Sequence, residues 1–456
     1  MMGRQRSTEP LFHVFCLEDH VPPDHPLRQV DRLLDLGFVR EGMARHYSSI
    51  GRPSIDPELM IRMLMIGYLQ GIRSERRLVE EVHLNLAYRW FCRLGLDGRV
   101  PERSTFSKNR HGRFAEGDLF RTVFEDVVRR CAAAGIVPGE SAAVDGSFIL
   151  ADASPSRRVV GNEQPERWGD LEVVTRPVRE YLSALDAAAP PAADEPRKGA
   201  PKYLSATDPA AAWSNKHGPG RFGYETNYHL VDTAYGVILD VEATPAGLSQ
   251  EIVAAKAMLG RAERVLGHAP HRMAADQSYG TGPFLAWLLE RKIEPYIPVL
   301  ERKGQTKGKL TRDAFSFDPI ANNFTCPEGK RLTYQGADYR HRVHTCRTSP
   351  GECTACRMRA SCTDGRVRTV VRLFDETARD QARELAATPM FGAMAKQRRK
   401  VEMLFAHLKQ HLGLRRLKLR GLSGAREEFL LAAAAQNLRR LVKLTARGTA
   451  LPLHQV

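Results

Sequence analysis

No apolar run in the 456 residues is long enough to cross a bilayer. The nearest candidate, over 59–69, is interrupted by Arg62 and Gly67 and reads as a buried helix. The opening MMGRQRSTEP has no apolar signal core, so the expected location is the cytoplasm, with no membrane partner. Cysteine is sparse along most of the chain: five of the eight crowd between Cys326 and Cys362, while Cys16, Cys92 and Cys131 lie scattered in apolar surroundings. In a reducing compartment such crowding suits a metal site better than a disulfide framework. Acid is also in deficit. Against 68 Lys+Arg stand 53 Asp+Glu, a formal net charge of +15, which points to a polyanionic partner, nucleic acid before a membrane surface.

What is present begins with helices. Residues 26–41 read as one amphipathic helix, and Asp56-Pro57 opens another, with Asp as cap and Pro in the first turn. Ser74 caps a third, with room for a break in its middle, and Ser104 is expected to cap a short basic helix, TFSKNRHGRF. Short capped helices ending in one that carries Lys108, Arg110 and Arg113 suit a helix-turn-helix arrangement that contacts DNA. From residue 141 the apolar period changes to alternation. SAAVDGSFIL reads as a strand with Asp145 in its middle, and RFGYETNYHLVDTAYGVILDVEATPA as a hairpin. A helix capped by Ser249 follows, then a strand ending at Asp276, a helix over 282–292, a strand, and helices from 391 onwards. The expected class is α/β, a mixed sheet flanked by helices.

The expected domains are helical DNA-binding 1–135, a core begun by 136–300 with an irregular insertion at 155–220, a cysteine-rich insertion 301–390, and helices 391–456 that complete the core. Residues 396–417 hold a single carboxylate, Glu402. At about 100° per residue, Val401, Leu404, Phe405, Leu408 and Leu412 form one apolar stripe, and Arg398, Glu402 and Lys409 a second beside it. Glu402 therefore stands on the border between the packing face and solvent. An ordinary amphipathic helix with one Arg–Glu pair explains that pattern equally well, and Asp276 by itself can be a turn former. Asp145 in mid-strand is costlier unless it is paired or metal-bound. Taken jointly, three carboxylates facing one cleft can hold two Mg²⁺ or Mn²⁺ ions for phosphodiester chemistry.

VDGSFILADAS around Asp145, AADQSYG around Asp276 and RRKVEMLFAHLKQHLGLRRLKLRGL around Glu402 resemble the DDE transposases of bacterial insertion sequences. The likeness is greatest to the group with a helical N-terminal DNA-binding domain and a cysteine-bearing insertion. It implies a ribonuclease-H-like core with Asp145, Asp276 and Glu402 as catalytic metal ligands. It implies binding to double-stranded DNA at terminal inverted repeats, strand transfer into target DNA, a homodimer on paired ends, and association with the nucleoid. Of the family's Tyr, Arg, Glu, Lys signature, Arg398, Glu402 and Lys409 match the last three members, and Ala395 stands at the Tyr position. Arg398 and Lys409 are then expected to hold phosphates, the first as a fork and the second as a point charge.

For the cysteines, tetrahedral thiolate zinc needs four ligands, which Cys326, Cys353, Cys356 and Cys362 can supply. Cys346, His341 and His344 are substitutes, and reduced free thiols are the other reading. Trp213, beside Lys216, is placed either against DNA or in packing. Two rivals to a transposase remain at this point: a DNA-binding protein without catalysis, and a metal-dependent nuclease that cuts without joining.

Overall fold

The structure is a computed structural model that describes residues 15–48, 50–51, 54–161, 168–169, 174–187, 201–215, 218–246, 250–301 and 308–448. Lys216, expected at DNA, and Ser249, expected as a helix cap, lie outside these residues.

The capping signals of the N-terminal part were mostly local truths. Asp56 accepts the Glu58 N–H at 2.9 Å and starts helix Pro57–Leu69, which is buried almost all round. Ser74 accepts the Arg77 N–H at 3.4 Å and starts Glu75–Leu84. Asn85 then caps Leu86–Phe91, which is the break foreseen there. Two expectations need correction. Residues 26–41 form two helices, Pro26–Leu33 and Gly37–Met43, because the chain turns extended at Leu34 and Asp35 accepts the Gly37 N–H at 2.9 Å. The basic helix runs over Arg103–His111, starting two residues earlier than a Ser104 cap requires, and no side chain caps it.

Among the described residues the central sheet has seven strands. Strand Ser141–Leu150 pairs antiparallel with Arg221–Asp232 on one side and parallel with Arg272–Ala274 on the other. Arg272–Ala274 pairs parallel with Glu294–Tyr296, and Ile238–Val241 folds back on the outer edge of Arg221–Asp232. Taking those five in chain order, the spatial order is third, second, first, fourth, fifth. The register slips at Asp145 and Gly146, whose partners are His229 and Asn227, so the long strand carries an extra residue opposite the acid.

The last helix, Gly421–Thr445, is the spine of the molecule. It packs on the N-terminal helices Pro57–Leu69 and Leu119–Ala133 and on edge strand Ile238–Val241. Asn437 on this helix completes that edge: its Oδ1 accepts the Ile238 N–H and its Nδ2 donates to the Ile238 carbonyl, both at 2.8 Å. Residues 301–390 do not behave as one insertion. A five-stranded antiparallel sheet from Ser316–Asp318 to Thr369–Leu373 has its own small core of Phe315, Phe324, Leu332, Cys346, Cys362 and Val370. Helix Glu376–Ala386, beyond it, joins the main core through Ala378 and Ala382.

Three buried carboxylates lie where elements meet. Asp208 takes the Tyr224 hydroxyl at 2.6 Å and the Gly421 N–H at 3.1 Å, yet burial pushes its carboxyl up to about 6. Burial also raises Asp232 to about 6 and Glu427 to about 7. Each folded form binds its proton more tightly than the unfolded chain does. The stability these groups contribute is therefore complete below the ordinary carboxylate range and is lost as pH rises through about 6 to 7. The melting temperature should be roughly 2–5 °C higher at pH 5.5 than at pH 8. Asp208→Asn should flatten part of that slope. Calorimetry that finds the same slope in both proteins counts against the assignment.

Candidate active site

Helix Pro389–Gln410 lies across strand Ser141–Leu150, and two contacts set its rotation. Gln397 accepts the Thr233 hydroxyl at 2.7 Å, and Lys400 donates to the carbonyls of Thr233 and, at 2.9 Å, Ala234. With that face held on the hairpin turn, the neighbouring stripe faces the strand. Arg398 Nη1 donates to Asp145 Oδ2 at 2.6 Å, and its Nη2 reaches Glu402 Oε1 at 3.2 Å. Two turns beyond Glu402, Lys409 Nζ donates to Ser147 Oγ at 2.6 Å. The apolar stripe read from the sequence, Val401, Leu404, Phe405, Leu408 and Leu412, is buried.

Asp276 follows strand Arg272–Ala274 and caps the turn Gln277–Tyr279, accepting the Ser278 N–H at 2.8 Å and its hydroxyl at 2.5 Å. It lines the same open cleft of about 570 Å³ as Asp145, Ser147 and Lys409. Glu402 stands at the rim, with its side chain 54% exposed against 16% for Asp145. Burial raises the Asp145 carboxyl above its ordinary range; the Gly146 N–H and Arg398 oppose this, and the charges of Asp276 and Glu402 add to it. So Asp276 and Glu402 both act on Asp145. Among the described residues no three His, Cys, Asp or Glu side chains are gathered closely enough to clasp an ion as they stand. The Arg398 guanidinium pairs with both Asp145 and Glu402. Carboxylates are hard oxygen donors of the kind a divalent metal takes.

Two family models match the chain. Residues 15–112 match one described as "Transposase domain (DUF772)", and residues 325–442 match "Transposase DDE domain", a span that includes Arg398, Glu402 and Lys409. Together the two matches support a DDE-type transposase of an insertion-sequence family. No curated protein matches it in sequence. Among solved structures, the cryo-EM piggyBac transposase synaptic complex with hairpin DNA is similar at 9% identity and a TM-score of 0.36, over 93% of this chain and 76% of that one.

Pattern reading missed several side chains that line the transposase's cleft: Arg221, Glu225, Glu251 and Arg415. Arg415 had a signal, since LGLRRLKL alternates buried Leu with basic residues. Arg221 and Glu225 are brought in by pairing across the sheet and Glu251 by the first turn of helix Glu251–Leu266, and none leaves a local mark. The three cations expected at DNA on the short basic helix and just after it part company. Lys108 is exposed, and Arg113 is half-buried with its guanidinium 4.3 Å from the centre of the Tyr47 ring. Arg110 is buried: it reaches Glu75 at 2.9 Å and Glu427 at 3.8 Å, and so joins the N-terminal helices to the last helix. Trp213 packs, with the rings of Tyr203 and Phe222 each 5.1 Å away. Among the described residues no helix is long and apolar enough to cross a membrane.

The cysteines separate in the same way. Cys346 is fully buried in the small core and opposite Val370 in the sheet. His341 pairs with Asp338 at 2.7 Å, and His344 lies against Phe374 at 4.7 Å. Cys326, Cys353 and Cys356 are near enough to act on the Cys362 thiol, but among the described residues no three of these thiols gather into a group that could hold a metal ion. Cys326 Sγ accepts the Lys330 N–H at 3.3 Å across a turn that Gly329 closes with φ +74. Burial raises the Cys362 thiol; Arg368 opposes the shift, and Cys353, Cys326 and Cys356 add to it.

Proposed function

We propose that this transposase cleaves double-stranded DNA at the terminal inverted repeats of an insertion sequence and joins the freed 3′ ends to target DNA. Asp145, Asp276 and Glu402 would hold two Mg²⁺ or Mn²⁺ ions. The observation that carries the reading is that Asp145 and Asp276 line one cleft while Arg398 links Asp145 to Glu402. The sheet order, with its first, fourth and fifth strands parallel and its second antiparallel, supports a ribonuclease-H-like core. When bound, the divalent ions supply positive charge to the attacking and leaving oxygens of a phosphodiester.

The chain's own side chains do the rest. Asp145 fixes one oxygen on the Gly146 N–H at 2.8 Å, which orients its carboxylate toward the cleft. Lys409 is half-buried, and burial and Arg415 lower its ammonium from the usual range, so it is poorly solvated and suited to a phosphate oxygen. Arg398 offers a planar fork that can pass from carboxylates to phosphate. Lys108 and Arg113 extend the basic surface to the N-terminal helices, and the protein acts as a homodimer on paired ends. The test is a strand-transfer assay with terminal-repeat duplex, Mg²⁺ and a target plasmid. Joined products are expected, whereas cut ends without joining would leave a nuclease.

The small sheet would carry structural zinc on Cys326, Cys353, Cys356 and Cys362, folding a unit with little core of its own. Freshly purified reduced protein should contain about one zinc per chain. Cys353→Ser should lose it, and Cys346→Ala should keep it. Metal analysis that finds no zinc in the wild type rejects the site.

A further inference from the structure

The structure assigns a second DNA-backbone subsite to the groove between the N-terminal helices and the segment that follows the helix of Glu402. This rests on the reading that the chain acts on DNA, and it adds a place and a spacing. The groove, about 580 Å³, is lined by Arg76, Arg103, Ser104, Ser107 and Lys418 over a floor that includes Arg110. Nothing in the local sequence joins these residues; they come from three separate segments.

The charge in the groove is one-sided once its acids are accounted for. Glu75 is held by Arg110 at 2.9 Å. Glu428 is held by Arg73 and also accepts the N–H groups of Lys418 and Leu419 at 2.6 and 2.5 Å. Arg76 meets Glu80 at 3.2 Å, but both are exposed, and such a pair is easily exchanged for a phosphate. Arg103 and Lys418 are exposed and have no carboxylate partner among the described residues. Arg110 is only 4% exposed, and its Nε has no partner among the described residues. Helices Glu75–Leu84 and Arg103–His111 both begin at this groove, and the second has no side-chain cap, so its first N–H groups add donors suited to an anion.

Residues 414–419 join this groove to the acid cleft. Leu414 and Leu417 are fully buried, and Leu417 N–H donates to the Leu150 carbonyl at 2.8 Å while Leu150 N–H donates to Arg415 at 3.2 Å. The segment thus touches the strand of Asp145 at one bridge, Leu150 with Arg416, between a turn at 414–415 and a bend at 418–419. Arg415 lines the acid cleft, and Lys418 lines the groove. Three residues span at most about 10 Å. One DNA strand advances about 3.4 Å per nucleotide along the axis. The groove therefore takes the backbone within about three nucleotides of the phosphate in the acid cleft.

That spacing is held by two glycines. A Cβ on Gly71 would stand 2.8 Å from the His411 carbonyl oxygen, and one on Gly413 would stand 3.2 Å from Arg73 Cγ. Both have left-handed backbone, with φ +68 and +65. The two turns touch directly, so the N-terminal wall is fixed to the end of the helix that carries Glu402 and Lys409. The subsite acts as a ruler between the N-terminal helices and the cleavage point.

The test uses the full-length protein and a fluorescein-labelled 30-base-pair terminal-repeat duplex, without added divalent ion. Affinity is followed by anisotropy from 50 to 200 mM KCl. The Arg103→Gln/Lys418→Gln double variant should lower the slope of log affinity against log salt by about two, near 0.9 per lost phosphate contact. Phosphate-ethylation interference should lose its signal within about three nucleotides of the cut, counted from the spacing above. Arg77→Gln is the control, on the same helix as Arg76 but turned to Glu81 at 3.2 Å, and should leave the slope unchanged. An unchanged slope in the double variant, or an equal fall in the control, overturns the subsite. Because binding is read without cutting, a protein that binds as described but never cleaves would sink the catalytic reading and leave the groove standing.

Discussion

Glu402→Gln should lower Mg²⁺-dependent cleavage of terminal-repeat DNA by about 1000-fold, or ~4 kcal/mol of barrier. The amide keeps the shape of the side chain and removes the charge a hard divalent ion requires. Glu402 is half exposed, and Arg398 is the ion-pair partner described for it, so the fold should tolerate the change within about 0.5 kcal/mol. Duplex affinity without divalent ion should stay near that of the wild type, which separates lost chemistry from lost binding. Asp145→Asn and Asp276→Asn should give losses of similar size, and pairs of these changes should cost little more than one, because the three act as a unit. Single-turnover rates on an end-labelled duplex decide it. Equal rates for wild type and Glu402→Gln would remove Glu402 from the site.

Arg398→Gln should move two measurements in opposite directions. Its guanidinium holds oxygens of Asp145 and Glu402 that a divalent ion bound as proposed would also need. With the cation gone, Mn²⁺ should bind about tenfold more tightly, a gain of ~1.4 kcal/mol. Cleavage should nevertheless fall about 100-fold, because a charged fork has been taken from the phosphate. Arg398→Lys should recover part of the rate, as charge without the fork. Proton competition sets the conditions. Arg398 pulls the Asp145 carboxyl down against its burial, so the variant's carboxyl titrates still higher. The tighter binding is therefore clearest near pH 8 and shrinks as pH falls. Mn²⁺ titration by calorimetry or paramagnetic resonance reads the first quantity without DNA. A weaker or unchanged Mn²⁺ affinity would show that Arg398 does not compete with metal.

The sequence by itself determined the elements whose causes are local. Asp56, Ser74 and Asn85 lie within three residues of the N–H groups they cap, so short-range chemistry suffices to place those helices. SAAVDGSFIL alternates within ten residues and is a strand over that length. The stripe of Arg398, Glu402 and Lys409 follows from helical geometry alone, and the three acid motifs in order were enough to suggest the family. Where a cap and an apolar period competed, as over 26–41, the local pattern misled, because the Asp35–Gly37 contact breaks a helix that the period would continue.

Tertiary structure decided what each side chain is for, because that depends on partners hundreds of residues away. Arg110 looked like a DNA contact among basic neighbours, but Glu427, more than three hundred positions later, draws it inside. Cys346 was one thiol among five until the sheet placed it opposite Val370 in the small core. Arg398 was a phosphate candidate, and only its placement across Asp145 showed it as the cation that rests among the acids. The close approach of the Gly71 turn to the Gly413 turn has no signature in either segment alone. Capping and periodicity are settled within a few residues, whereas burial and charge pairing are settled only when the chain has closed on itself.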